Sequence, residues 1–296
     1  MPSSVESSCS VDSSLTRTAS GGASEFSEGP SYDWVDPSVL NISTKIKTAD
    51  DLDKFFSTNP GFVESDCPSE ALIADVCGVT DRVCHGRENA PHDFFFVYST
   101  FFSNLRMTFP FDDFTMGVLR TLNVAPTQLH PNSWAILQAF RVICRVFRLN
   151  PTPQSFLYYY NTYPGTPVSW LSLISRSGNV RFAPYTTSYK IFKDNYFKIF
   201  VEPDGRDLFY NADGTTKFPF HWTEKPFQLD NQLLHSLTPF DKEVILVIDR
   251  LSCRLPTQEL IALYGSSKKW ADLTGMCIQL LSVTLLWDCV LTVCFV

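Results

Sequence analysis

Three sets of side chains in this sequence have the types that metal or acid–base chemistry uses. Cys77, Cys84, His85 and His92 offer thiolate and imidazole donors suited to tetrahedral zinc. Their spacing lacks a Cys-x-x-Cys pair, so they read as scattered loop residues, and no metal or cofactor is expected. Asp194, Asp207 and Glu224 are carboxylates of the kind that two-metal nucleases bring together, but their contexts are those of solvated surface charge. An aspartic protease needs Asp-Thr-Gly or Asp-Ser-Gly. Asp213-Gly214-Thr215 has the wrong order and reads as a turn, and Asp272-Leu273-Thr274-Gly275 carries an insertion. No catalytic residue is assigned, and the chain is expected not to be an enzyme.

A different chemistry is open to the cations. Arg141, Arg145 and Arg148 fall on one face of a helical pattern. Arg181, Lys190, Lys193 and Lys198 alternate with Tyr185, Tyr189, Phe192 and Tyr196, a mixture that can pair phosphates and stack bases. The competing reading is a solvated helix face and a set of core aromatics. The formal net charge of −7 over 296 residues decides part of the question, since a chain that coats nucleic acid with its whole surface needs an excess of Lys and Arg. Any nucleic-acid contact must be local.

The elements that would position these groups follow from periodicity. Thr48 with Asp51 forms a capping-box pattern before a short helix that carries Leu52, Phe55 and Phe56. The run from Phe94 through Phe102 to Leu105 is apolar on nearly every side, which periodicity cannot separate into helix or strand; it is taken as a buried helix. Phe111 to Leu122 is a helix opened by Asp112 and Asp113. Pro131 starts a longer one to about Arg148, with Ile136, Phe140, Ile143 and Phe147 three or four residues apart. Gln154 to Tyr160 makes another.

After Pro167 the period shortens. Val168–Ile174 and Val180–Phe182 flank Ser177-Gly178-Asn179 and read as a hairpin. Strands are expected at Tyr196–Val201, Asp207–Tyr210 and Lys217–Trp222, separated by turns at Pro203-Asp204-Gly205 and Ala212-Asp213-Gly214. Helices return at Thr238–Arg250 and Thr257–Tyr264. The expected class is α+β: a helical layer over about 91–163 and 238–264, with a small antiparallel sheet over about 168–222.

One stretch is distinctive. Phe109-Pro110-Phe111-Asp112-Asp113-Phe114 is followed by Leu119-Arg120-Thr121-Leu122-Asn123-Val124-Ala125-Pro126-Thr127-Gln128-Leu129-His130-Pro131-Asn132-Ser133-Trp134-Ala135. This resembles the signature of the plant transposon domain of gypsy type, and the resemblance extends over roughly Pro91 to Leu273. It implies an origin in long-terminal-repeat elements, often near gag-like structural regions, and carries no established activity. Physically, Asn123 can end one helix, Pro126 prevents its continuation, and Pro131, Asn132 and Ser133 launch the next, with Trp134 one turn in. The signature is therefore expected to be a fixed corner; a ligand site on His130 and Trp134 is the alternative.

Flanking this domain (91–274) are a Ser-rich arm at 1–33, expected to be disordered, and a mixed extension at 34–90. Residues 275–296 form an apolar tail. Its length suits one membrane helix, but Asp288 and Gln279 nearly cancel an insertion gain of roughly 5 kcal/mol. Gly275-Met276-Cys277 can be encoded by GGT-ATG-TGT, which contains a plausible splice donor, so the tail reads as translated intron, with a membrane anchor as the alternative. Nine cysteines in irregular contexts and a polar start give an expected cytoplasmic or nuclear location, or a single-pass membrane protein if the tail is an anchor. The expected partners are other copies of the chain, with nucleic acid second.

Overall fold

A computed structural model describes residues 31–64, 67–68, 70–86, 93–186, 192–230 and 237–263. By its internal contacts the chain divides into Met1–Tyr32 and Asp33–Val296, and the elements below belong to the second unit. Residues 1–30 of the arm, the apolar tail, His92, Tyr189, Lys190 and the Asp272–Gly275 motif lie outside the described residues.

The fold is α+β. Two short helices, α1 (Pro37–Leu40) and α2 (Ala49–Thr58), precede strand β1 (Leu72–Asp75). The Thr48–Asp51 capping box forms in full: Asp51 N–H donates to Thr48 Oγ1 at 3.1 Å, and Thr48 N–H donates to the Asp51 carboxylate at 3.0 Å. Strand β2 (Phe94–Tyr98) and the short α3 (Thr100–Ser103) occupy the run expected to be one helix. The reason is burial on both faces. Phe95 packs on one side among Phe109, Phe209, Phe218 and Phe220, while Phe94 and Phe96 stack edge-on at 5.2 Å on the other. A strand covered on both sides loses its alternation and reads as continuously apolar.

Helices α4 (Asp113–Leu122), α5 (Pro131–Val146) and α6 (Pro153–Leu157) follow, with a single 3-10 turn at Pro126–Gln128 between the first two. These match the helical periodicity closely. In α4, Gly117 allows close approach to α6: a Cβ there would stand 2.6 Å from Pro153 Cγ. Next come β3 (Tyr160–Asn161), β4 (Ile174–Ser175), β5 (Tyr196–Val201), α7 (Arg206–Phe209), α8 (Pro239–Asp249) and α9 (Thr257–Leu263).

The main sheet has the order β1-β5-β2, antiparallel throughout. Only β5 comes from the span 168–222. The hairpin around Gly178 is not made: the turn exists, with Gly178 at φ 74° and Asn179 N–H donating to Arg176 O at 2.9 Å, but β4 pairs with β3 and Phe182 bridges to Leu255. Asp207–Tyr210 forms α7 instead of a strand, leaving Tyr210 in one bridge to Thr216. At the Gly178 turn distant partners took the hydrogen bonds that a local hairpin would have used, which local pattern cannot anticipate. At 207–217 the bonds stay local, Lys217 N–H donating to Phe209 O and Asn211 N–H to Thr215 O, and Lys217–Trp222 forms no strand.

Candidate functional site

The signature stretch makes the expected corner, and its geometry can be followed residue by residue. Asn123 caps α4 in the left-handed conformation, φ 52°, and its backbone N–H meets the carbonyls of Leu119 and Arg120. Pro126 opens the 3-10 turn and Pro131 the first turn of α5, where neither position has a helical N–H to lose. His130 is the N-cap of α5: its Nδ1 accepts from Asn132 N–H at 3.1 Å. Burial, reinforced by the Lys193 charge, pulls the imidazole pKa down to about 4, so the ring is neutral and can accept. Trp134 is fully buried; its Nε1 donates to Pro126 O at 2.9 Å, and its ring packs 4.7 Å from Phe101 and 5.3 Å from Phe111. No face of the indole is left for a ligand.

The corner also holds remote chain. Gln128, wholly buried, accepts from Thr223 N–H at 2.9 Å and donates to Thr223 O at 2.8 Å. Asn132 does the same to Thr186, donating to its carbonyl at 3.0 Å and accepting from its N–H at 3.2 Å. Ser133 Oγ accepts from Leu173 N–H, Thr127 Oγ1 accepts from Trp222 Nε1, and Asn123 Nδ2 donates to Lys225 O. Backbone bonds link His130 to Leu171 and Phe227 to Leu122. Thus one continuous stretch of polar side chains substitutes for sheet partners to three irregular segments, at 171–173, 186 and 222–227.

Residues 96–164 match the family described as putative gypsy type transposon. No curated protein and no solved structure matches the chain. The gypsy-type match runs from β2 to just past β3 and contains the whole corner; it covers part of the span from Pro91 to Leu273 suggested by the residues. Gln128 and Thr223 were not foreseen as a pair. A glutamine between Pro126 and Leu129, in a run otherwise destined for the core, is the signal that could have marked it.

Of the cations proposed for nucleic acid, the structure gathers three. Arg141, Arg145 and Arg148 line one cleft of about 380 Å³ with Asp112 and Leu149-Asn150-Pro151. Arg141 is tied inward, its Nε 2.8 Å from Asp112 Oδ2 and its Nη1 donating to Gln138 Oε1. Arg145 and Arg148 are exposed, and Arg148 lies beyond the end of α5 at φ 53°. Arg181 stands elsewhere, paired with Asp249 at 2.9 Å and placed over the Tyr159 ring. Lys198 bonds Asp81 at 2.6 Å above Phe94, and Lys193 lies 3.8 Å over Trp170. Phe192 and Tyr196 are core residues, and Tyr185 is half-buried with its hydroxyl on Asn104 O. In the described part of the strip at 181–198, the Phe192 and Tyr196 rings are therefore buried in the core and leave no face for a base, and Tyr185 is half-buried.

Cys77 and Cys84 are buried, and burial pushes the Cys77 thiol up to about 12. His85 Nδ1 accepts from Arg82 N–H. Among the described residues no group of three or more His, Cys, Asp and Glu could hold a metal ion, and no helix is long and apolar enough to cross a membrane. Asp213-Gly214-Thr215 is a turn, with Asp213 Oδ1 accepting from both the backbone and the hydroxyl of Thr215.

Proposed function

We propose that this transposon-related chain is a gag-like structural or interaction module without catalysis of its own. The observation that carries the reading is the use made of the signature: Asn123, Gln128, His130, Asn132, Ser133 and Trp134 each engage at least one side-chain polar atom with the chain's own backbone. A family motif spent on shape supports a role that depends on shape, such as assembly with copies or partners. Size-exclusion chromatography with light scattering on the full chain tests it. The expected result is a mass that rises with protein concentration, and a strict monomer at high concentration contradicts self-assembly.

A second reading, local nucleic-acid binding, is favoured by one observation: Arg141, Arg145 and Arg148 share a cleft. It predicts an affinity for oligonucleotides that falls steeply with salt and is weakened by Arg145→Ala with Arg148→Ala. Absence of binding at low salt refutes it, and DNA or RNA cleavage in Mg²⁺ or Mn²⁺ would contradict the non-enzymatic reading.

A further inference from the structure

Among the described residues, one edge of the main sheet has no partner strand and is acidic. In the antiparallel ladder, Val201 N–H donates to Asp93 O and Glu202 N–H donates to Ala71 O. The alternation of hydrogen-bonded pairs then follows from register. In β5, Ile199 and Val201 turn their backbone groups to β2, while Lys198 and Phe200 turn theirs to β1, where they meet Asp75 and Ile73. The N–H and C=O groups of Leu72 and Ala74 therefore point outward along the free side of β1. At the opposite edge β2 is buried along its full length, whereas β1 alternates between half-buried and exposed residues.

Natural sheet edges are usually blunted by lysines, proline or a covering element. Here Ile73 stands half exposed in the middle of the edge, inside a cleft of about 370 Å³ whose other walls are Glu70, Glu202, Pro203 and Asp204. Asp75 extends the same rim. Among the described residues, none of these four carboxylates forms an ion pair. They stand beside unused main-chain donors and acceptors in an arrangement that a short extended chain with positive side chains satisfies on both counts.

We infer that the β1 edge is a docking site for an extended basic peptide of another protein, added to the sheet as a fourth strand beside Leu72–Asp75. The charge excludes the two nearest alternatives. A second copy pairing β1 with β1 would bring two acidic rims together, and Met1–Pro30 carries four carboxylates against one arginine. This surface is separate from the corner and from the arginine cleft, so the inference stands whether or not the chain self-assembles.

The test uses the full chain and a fluorescein-labelled, acetylated eight-residue peptide of alternating lysine and valine, followed by anisotropy at low salt. The peptide is expected to bind and its glutamate–valine counterpart is not. Ala74→Pro removes one outward N–H that the fold does not use, a position where edge strands tolerate proline, and should weaken binding at least about tenfold. Glu202→Lys should weaken it similarly through charge. Equal binding of the peptide to wild type and to an Ala74→Pro chain with unchanged circular dichroism overturns the proposal. Should that variant fail to fold, the peptide N-methylated at alternate residues, in each of its two registers, replaces it: one register is expected to bind more weakly than the parent, and undiminished binding by both contradicts strand addition. Loss of self-association in Ala74→Pro without peptide binding in wild type would show the edge to be a contact between copies and overturn the basic occupant.

Discussion

The side-chain amide of Gln128 holds the peptide group of Thr223 from both ends, accepting from its N–H at 2.9 Å and donating to its carbonyl at 2.8 Å. A side chain thus supplies what a neighbouring strand would supply to a segment that has none. Gln128→Leu keeps the volume and removes both bonds, leaving two backbone groups of Thr223 without partners. The expected cost is about 2–4 kcal/mol in urea unfolding, well above that of Arg145→Ala on the exposed face of α5.

Helices α6 and α8 are joined through their caps. Thr152 caps α6 and Thr238 caps α8, and Thr152 Oγ1 also donates to the Asp241 carboxylate that completes the second capping box. Thr152→Val should cost about 1–3 kcal/mol by equilibrium unfolding. At Asp241 burial raises the pKa, yet the hydrogen bonds from Thr152 and Thr238 outweigh it and hold the carboxyl below its ordinary value. Its folded pKa being lower than its unfolded one, the stabilisation is present above about pH 4 and is lost as pH falls below that. In Thr152→Val this acid-side loss should shrink.

His130 gives a second pH dependence in a different window. Its folded pKa of about 4 lies below the unfolded value near 6.5, so the unfolded state binds more protons between them. Stability should accordingly be complete above about pH 6.5 and decline as pH falls toward 4, by about 2 kcal/mol or less given the ring's partial exposure. His130→Asn retains an N-cap acceptor and should flatten this part of the curve in pH-dependent thermal melts. An unchanged slope between pH 6.5 and 4 would show that the imidazole is not the titrating group.

Local sequence was enough for the helices that carry their own start signals, though not for α7, expected as a strand, or for 94–105, expected as one helix. Pro131 with its apolar repeat, Thr48 with Asp51 and Thr238 with Asp241 each contain their own start signal within four residues, and the structure places α5, α2 and α8 there. The corner was legible for the same reason, since Asn123, Pro126 and Pro131 act through backbone conformation at their own positions. The sheet was not. Phe94–Tyr98 gains its identity from Tyr196–Val201, about a hundred residues away, and Leu72–Asp75 is too short and too mixed to stand out before its partner is known. At the cations, Arg141, Arg145 and Arg148, which spacing put on one helix face, line one cleft, but spacing could not show that Arg141, Arg181 and Lys198 each meet a carboxylate from another element.

The central claim is that the signature holds the fold together by gripping remote peptides, and amide hydrogen exchange at Thr223 and Thr186 in the native full-length chain tests it most directly. Both lie outside any helix or strand, and their N–H groups donate to the side chains of Gln128 and Asn132. Both amides are expected to exchange at least about a hundredfold more slowly than an unstructured chain. Exchange at the unprotected rate at both positions would mean that these side chains are not engaged with the backbone, and would contradict the structural reading of the signature.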